Sequence, residues 1–287
     1  TYQIGQAIPF LLVVVGAYAR WGASEVKFPA TPSRVLIVTI IWYFLWILFQ
    51  PEGLLQFTPD IVDDLVFYLV LVGVPVLLIW ALGEKVDTNM MGFGRPKSFP
   101  TALFIIVGFI VYGTVLGVIL LTYDFSSFGL EDGTDLLVSS TLFPAIAEEI
   151  VVRGLIQGQI IVNTKDKLSG VVLSSLIFGL GHIIANSYAL EGDLMAGLLS
   201  SFFVQFISGI VYGGMMLVSG SILPSSILHY LHNSVAWFSR LSLSELAYQT
   251  DSLSYILALA FSVIVFVVLL RDNKNNGSEP DESADVY

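Results

Sequence analysis

The chain is organised around the stretch Ala147-Glu148-Glu149-Ile150-Val151-Val152-Arg153. It lies inside a hydrophobic run from about Leu137 to Val162, which is long enough to span a lipid bilayer. Charged side chains at that depth are costly, rare and usually functional. On a helix, Glu149 and Arg153 are four residues apart and can pair, whereas Glu148 points about 100° away. Glu148 therefore has no partner within its own helix, so groups that interact with it must come from other parts of the chain.

The amino-acid composition is that of an integral membrane protein. Of the 287 residues, 55% are hydrophobic and 12% are charged, whereas soluble domains carry about 25% charged residues. The mean hydropathy is +0.82. The formal net charge of −11 argues against nucleic acid as a partner. The absence of cysteine excludes disulfides, thiolate catalysis and cysteine-type zinc sites.

Hydropathy predicts an all-α fold, a polytopic transmembrane bundle of eight to nine helices around an intramembrane polar cavity. The first segment is short, which leaves the number of spans between eight and nine. We expect residues 1–271 to form one integral membrane domain with its motif-bearing core at 137–239, and residues 272–287 to form a disordered acidic cytoplasmic tail. The predicted spans are Ile4–Tyr18, Val35–Phe49, Leu65–Leu82, Ala102–Tyr123, Leu137–Val162, Leu168–Asn186, Leu194–Val218, Ile222–Phe238 and Leu253–Leu270.

Loop charges predict the orientation of these spans. The second, fourth and sixth connections contain acidic residues but no Lys or Arg, so the positive-inside rule places the odd-numbered connections and the C-terminus in the cytoplasm. The Glu148 helix then runs from outside to inside, and the helices carrying His182 and His229 run the other way. The middles of the three helices can therefore meet within the membrane. The basic residues of the odd-numbered connections are Arg20, Lys27, Arg34, Lys85, Arg95, Lys97, Lys165 and Lys167.

All three histidines of the chain lie in predicted spans. His182 is followed one turn later by Asn186, and His229 shares a helix face with Asn233. His232 lies close to that same face. Histidine and asparagine in apolar helices normally point into the bundle or into a wet cavity.

Two interpretations of these polar residues involve no hydrolysis. Each residue alone is explained by a hydrogen bond between helices, worth about 1 kcal/mol. Glutamate and histidine chains also carry protons in pumps, although the sequence lacks the paired broken segments of an inverted-repeat transporter. Proton transport and helix packing therefore stay as alternatives.

The third interpretation is hydrolysis. Glu148 would accept a proton from water as a general base, while Arg153 keeps Glu149 ionised so that the two carboxylates take different roles. His182 would orient the water, and side chains of the His229 helix would donate hydrogen bonds to a developing oxyanion. Zinc is the mechanistic alternative, with Glu148, His182 and His229 as ligands, but the usual His-Glu-x-x-His spacing is absent.

Three short motifs occur in order, each on its own predicted helix: Glu148-Glu149-x-x-x-Arg153, Phe178-x-x-x-His182 and His229-x-x-x-Asn233. Together they resemble the signature motifs of the type II CAAX prenyl endopeptidases. These enzymes are the Ras-converting branch of the family of CAAX proteases and bacteriocin-processing enzymes. The resemblance covers about Leu137 to Trp237.

The resemblance implies that the membrane domain is an all-helical intramembrane protease whose cavity opens to the cytoplasm and to lipid. It would remove the last three residues of a prenylated Cys-a-a-X C-terminus, or cut another membrane-held protein, without a metal cofactor. A non-enzymatic membrane scaffold or immunity-type protein with the same fold is the alternative. The implied residues are Glu148 as the water-activating glutamate, His182 as its partner, His229 and Asn233 as the oxyanion pair, and Glu149, Arg153 and Asn186 as supporting positions.

Three other features are expected to serve packing or access. The spacing Gly209-x-x-x-Gly213 suits close contact between helices. His232 is outside the motifs, so we expect a structural role for it. The connection at residues 83–100 contains several apolar side chains and is either an interfacial segment over the mouth of the site or an amphipathic loop.

Overall fold

The structure of the chain is a computed structural model. It describes residues 33–48, 60–84, 91–94, 141–183 and 194–242, together with short stretches between 106 and 137. Every regular element in these residues is helical, which confirms the predicted all-α class. The predicted spans Ile4–Tyr18 and Leu253–Leu270 and the tail at 272–287 lie outside the described residues.

The described helices follow the predicted spans closely. Leu65–Leu82, for example, is found as a helix that begins at Asp60 and ends at Ala81. The elements in chain order are α1 (Ser33–Leu48), α2 (Asp60–Ala81), α3 (Phe143–Glu148), π1 (Glu149–Gln157), α4 (Gly158–Thr164), α5 (Lys167–Gly181), α6 (Leu194–Ser200), π2 (Ser201–Phe206), α7 (Ile207–Ser219) and α8 (Leu223–Ser242), where π1 and π2 are π-helical.

The predicted span Leu137–Val162 contains one helix that is not α-helical throughout. α3, π1 and α4 form a continuous helix from Phe143 to Thr164, because the residues at both junctions keep right-handed helical angles. Its middle third, Glu149–Gln157, closes its turns between residues i and i+5. The widened segment begins at the residue after Glu148.

The surface of the bundle is apolar, whereas polar side chains are concentrated inside. Leu69, Leu77 and Trp80 are all more than half exposed, while Glu149 and Arg153 are completely buried. Among the described residues one stretch, Gly197–Leu217, is long and apolar enough to cross a membrane, and three shorter apolar helices accompany it. The number of spans, eight to nine, stays a prediction.

A tight turn at Lys165 and Asp166 sets the register between the Glu148 helix and α5. Lys165 takes left-handed backbone angles (φ 55°) and ends α4. The Asp166 carboxylate then accepts hydrogen bonds from the backbone N–H groups of Leu168 and Ser169, and so caps α5. Glu148 and His182 lie at nearly equal distances from this turn along the chain, so the hairpin brings them to the same level.

A second hairpin joins α7 and α8. Gly220 ends α7 in the left-handed conformation (φ 74°), which glycine adopts without a steric penalty. Tyr212 precedes Gly220 by about as many residues as His229 follows it. The turn therefore places Tyr212 and His229 opposite each other.

Glycines and a buried amide hold α7 against the hairpin of the Glu148 helix and α5. A Cβ added at Gly209 would lie 3.0 Å from the Cβ of Ser175, which confirms the predicted close contact. Gln157 donates to the backbone oxygen of Gly213 (3.0 Å) and accepts from the Ser174 hydroxyl (3.1 Å). The amide thus bonds π1 to both α5 and α7.

The connection at residues 83–100 contributes a short segment to the core. Met91 and Phe93 pack against the cluster of Ile150, Met216 and Ile222, and the backbone oxygen of Gly92 accepts a hydrogen bond from Ile222 N at 3.0 Å. These contacts place residues 91–94 against π1 at Ile150, the residue that follows Glu149.

Substitution of Gly154 by alanine should destabilise the protein. A Cβ at this position would clash with the backbone carbonyl group of Met91, so that either π1 or the 91–94 segment must shift. Such overpacking typically costs about 1–3 kcal/mol. We expect a lower midpoint in thermal unfolding of the detergent-purified protein.

Gly73→Ala is the matched control for this substitution. Gly73 lies inside α2 with no described atom within 4 Å of an added Cβ, and alanine favours helix over glycine by about 1 kcal/mol. We expect an unchanged or higher midpoint. Equal midpoints for Gly154→Ala and the wild type would show that residues 91–94 do not pack on π1 as described.

Candidate active site

Glu148 lies between the imidazole rings of two histidines from other helices. Its Oε2 atom is 3.8 Å from Nε2 of His182 and 3.8 Å from Nε2 of His229. Glu148 is the last residue of α3, His182 follows the last residue of α5, and His229 belongs to α8. One residue from each of the three predicted motifs is thus brought to the same carboxylate oxygen.

The His182 ring is oriented by its own helix. Its Nδ1–H donates to the backbone oxygen of Phe178 at 2.8 Å, one turn earlier, where the end of α5 leaves carbonyl groups without helical partners. This bond fixes which nitrogen carries the proton and directs Nε2 towards Glu148. The His182 side chain is 20% exposed and is the most accessible of the three groups.

Both oxygens of Glu149 are engaged inside the protein. Oε1 accepts a hydrogen bond from His229 Nδ1 at 3.2 Å, and Oε2 lies 3.4 Å from Nε of Arg153. Glu149 and Arg153 are both fully buried, so the predicted pairing four residues apart along the helix is present. The same His229 ring that faces Glu148 through Nε2 is therefore held by Glu149 through Nδ1.

Two aromatic rings surround the Arg153 guanidinium. Its central carbon lies 5.0 Å from the ring centroid of Phe178 and 5.9 Å from that of Tyr212. None of its nitrogens makes an aligned hydrogen bond to a described residue. The cation is therefore stabilised by the Glu149 charge and by the faces of the two rings.

The two predicted asparagines and the third histidine, which we expected to be structural, are placed as follows. Asn233 is half-buried on α8, one turn after His229 and on the same face. His232 is buried, and its Nδ1 lies 2.8 Å from the hydroxyl oxygen of Tyr212. Asn186 lies outside the described residues.

Three aromatic residues of the site were not predicted as site residues from the sequence. Phe178 belongs to the second motif, and its ring contacts those of both His182 and His229. Tyr212 lies within the Gly209-x-x-x-Gly213 spacing, which predicted close contact between helices but no role for the tyrosine. Tyr43 packs in the same core cluster as Ala147 and Val151, and its buried hydroxyl has no hydrogen-bond partner among the described residues.

The described residues contain no group of three His, Asp or Glu side chains arranged to hold a metal ion. A site without a metal stays a prediction.

Comparison with known proteins shows one similarity, which covers part of the chain. No curated protein and no solved structure matches the chain. A family model does match, at residues 134–235, and these residues include Glu148, His182, His229 and Asn233. Its description is "Type II CAAX prenyl endopeptidase Rce1-like". Residues 134–235 are thus similar to the Rce1-like type II CAAX prenyl endopeptidases, the family whose signature motifs the three motifs resemble.

Proposed function

We propose that the protein is an intramembrane endopeptidase that removes the C-terminal tripeptide from prenylated CAAX-type proteins. Glu148 activates the attacking water, and His229 with Asn233 stabilises the oxyanion. The substrate is a prenylated or otherwise membrane-held protein, no nucleic acid is involved, and the reaction uses no metal or other cofactor.

The different surroundings of the two adjacent glutamates support this proposal most directly. The Glu149 side chain is fully buried and held by Arg153 and His229, whereas Glu148 is 7% exposed next to His182, which is 20% exposed. Water reaches a site through its more accessible groups. Glu148 is therefore the general base, and Glu149 is the fixed charge that orients the site.

The first step is attack by water on the scissile carbonyl. Glu148 takes a proton from the water, and the resulting hydroxide forms a bond to the carbonyl carbon. The electron pair of the carbonyl double bond moves to its oxygen. Since the Nδ1–H of His182 is used by the Phe178 carbonyl, its Nε2 faces the water and orients it.

The oxyanion formed in this step receives hydrogen bonds from α8. Asn233 donates through its side-chain amide, and His229 donates through Nε2. Because Nδ1 of His229 already donates to Glu149, a ring that donates through Nε2 carries two protons, and the Glu149 carboxylate balances its charge. Collapse of the oxyanion breaks the C–N bond, and Glu148 returns its proton to the leaving amine.

The proposed membrane arrangement follows from the loop charges and from the apolar surface. Trp80 is 72% exposed and Leu77 is 62% exposed, which suits contact with lipid. The protein crosses the bilayer several times, its C-terminus is cytoplasmic, and the active site opens to the cytoplasm. A prenyl group of the substrate would then remain in the lipid phase while its peptide enters the site.

Zinc is the competing mechanism, since Oε2 of Glu148 lies 3.8 Å from Nε2 of His182 and of His229, although the described residues are not arranged to hold a metal ion. These are the ligand types of catalytic zinc sites. The two mechanisms differ in their response to metal removal. Hydrolysis by Glu148 alone persists in a strong chelator, whereas zinc-dependent hydrolysis stops and returns with added zinc.

Glu148→Gln should abolish cleavage of a farnesylated Cys-a-a-X peptide by the detergent-purified protein. The amide cannot accept the proton from water, and loss of a general base typically costs about 100- to 10,000-fold in rate. The released tripeptide is quantified by mass spectrometry, with a zinc chelator present in parallel reactions.

Glu84→Gln makes the same change at a carboxylate that pairs with Arg34 at the surface, 3.3 Å away. Because such exposed pairs contribute little, we expect wild-type cleavage. Cleavage by Glu148→Gln at the wild-type rate would reject Glu148 as the base. Loss of wild-type cleavage in chelator, restored by zinc, would establish the zinc mechanism.

Asn233→Ala should lower kcat about 100- to 1000-fold with little change in KM, because an oxyanion donor acts in the transition state. The control is Asn163→Ala, which removes an exposed asparagine whose amide donates to the Gln159 backbone oxygen. Asn163→Ala should retain normal kcat. An equal loss in both variants would assign Asn233 a structural role.

The topology can be tested by single cysteines because the chain contains none. Lys167→Cys should react with a membrane-impermeant maleimide only when the cytoplasmic face is accessible. Asp193→Cys, in the next connection, should react only from the opposite face. Labelling of both positions from the same side would contradict the predicted orientation.

A further inference from the structure

Tyr212 covers one face of the His229 ring. The two ring centroids are 4.9 Å apart and the ring planes differ by 18°, so the rings are stacked. Phe178 meets the same imidazole edge-on, at 5.7 Å and 89°. Tyr212 is 1% exposed and has no access to solvent. The plane of the His229 ring is thus set by a face contact and an edge contact.

The orientation of Tyr212 is set in turn by its hydroxyl group. Its oxygen lies 2.8 Å from Nδ1 of His232, and the Ser208 hydroxyl lies 3.4 Å from the same nitrogen. The His232 ring is itself stacked on Tyr112, at 5.8 Å and 16°. His232 is therefore fixed by groups from two other helices, and it anchors the far end of the Tyr212 side chain.

The α7–α8 hairpin produces both contacts at once. Ser208 and His232 are each twelve residues from Gly220, on opposite sides of it in the sequence, and Tyr212 and His229 are eight and nine residues from it. The two pairs are about one helical turn apart on facing helices. The turn at Gly220 therefore brings Tyr212 over His229 and Ser208 next to His232.

Tyr212 also reaches the second partner of Glu149. The Arg153 guanidinium lies over its ring at 5.9 Å, so one aromatic ring contacts both partners of this carboxylate. A tilt of the Tyr212 ring would change the position of the His229 ring relative to both Glu148 and Glu149.

We infer that Tyr212 and His232 are positioning residues for hydrolysis, an inference that rests on the proposed function. Tyr212 holds the His229 ring so that Nδ1 keeps its hydrogen bond to Glu149 and Nε2 is directed at Glu148. His232, which we predicted to be structural, holds the Tyr212 hydroxyl and acts on the reaction only through that ring. Neither residue contacts the substrate.

Variants of Tyr212 separate the hydroxyl anchor from the stacked ring. Tyr212→Phe keeps the ring and loses the bond to His232, so kcat should fall about 10-fold, as for other supporting side chains. Tyr212→Leu also loses the stacking, and kcat should fall about 100-fold because small misplacements are costly in catalysis. KM should not change in either variant. Tyr230→Phe, the same change on α8 outside the site, should behave as wild type.

Variants of His232 test the anchor from its other end. The amide of asparagine occupies nearly the position of Nδ1, so His232→Asn should retain most of the activity. His232→Ala should lose about as much as Tyr212→Phe. The double variant Tyr212→Phe/His232→Ala should be no worse than either single variant, since both remove the same bond. Multiplied losses in the double variant would overturn the inference.

A spectroscopic measurement makes the test independent of substrate. The chain has three histidines, so isotope-labelled histidine gives few resonances, which single substitutions of His182 and His232 assign. Stacking on Tyr212 shields the His229 ring protons. Their signals should move downfield in Tyr212→Leu, stay shielded in Tyr212→Phe and be unchanged in Tyr230→Phe.

The two measurements distinguish failure of this inference from failure of the proposed function. If the wild type cleaves and Tyr212→Phe, Tyr212→Leu and His232→Ala all retain its kcat, the positioning role is wrong. The same holds if the His229 signals do not move in Tyr212→Leu. If the wild type fails to cleave prenylated peptides while the His229 signals move as expected, the ring contact stands and the proposed substrate is wrong.

Discussion

The Glu149 carboxylate is the constraint on which the rest of the site depends. It is fully buried, and a buried charge without partners would cost several kcal/mol. Arg153 supplies the opposite charge from the same helix, and His229 supplies a hydrogen bond from α8. Removal of either partner would leave one buried carboxylate oxygen without its partner. The positions of π1 and α8 relative to each other are therefore fixed by this group.

The two helical hairpins fix how the paired helices are aligned along their lengths, and so fix the positions of the site residues. The Lys165–Asp166 turn sets α5 against the Glu148 helix, and the Gly220 turn sets α8 against α7. Gln157 bonds the first hairpin to the second, through Gly213 of α7. A shift of one residue in either hairpin would rotate a histidine by about 100° and remove it from Glu148. The short capped turns therefore help to set the geometry of the site.

Local spacing made much of the site predictable from the sequence. The pairing of Glu149 with Arg153 follows from a separation of four residues, and the loop charges predicted that the middles of the Glu148, His182 and His229 helices can meet. The contact between Glu149 and His229 was not predictable, because it joins residues 80 positions apart through two hairpin registers. Side-chain direction at that distance depends on packing rather than on a local pattern.

Other features left no distinctive signal in the sequence. The π-helical turns at Glu149–Gln157 occupy nine residues, too few for the hydrophobic pattern to distinguish a period of about 4.4 from 3.6. Tyr43 and Tyr212 lie in apolar helices, where a tyrosine usually indicates packing alone. Only the contacts of the folded bundle distinguish these residues from ordinary core aromatics.

The adjacency of Glu148 and Glu149 has a physical consequence for the reaction. Consecutive residues of a helix point about 100° apart, so two carboxylates that are adjacent in the chain face different surroundings. Glu149 is fully buried between the Arg153 guanidinium and the His229 imidazole, whereas Glu148 faces the more accessible His182. The buried carboxylate holds the nitrogen of His229 that faces away from Glu148. An adjacent pair therefore places two carboxylates near the two nitrogens of a single histidine, which two separate glutamates would achieve only through additional constraints on the fold.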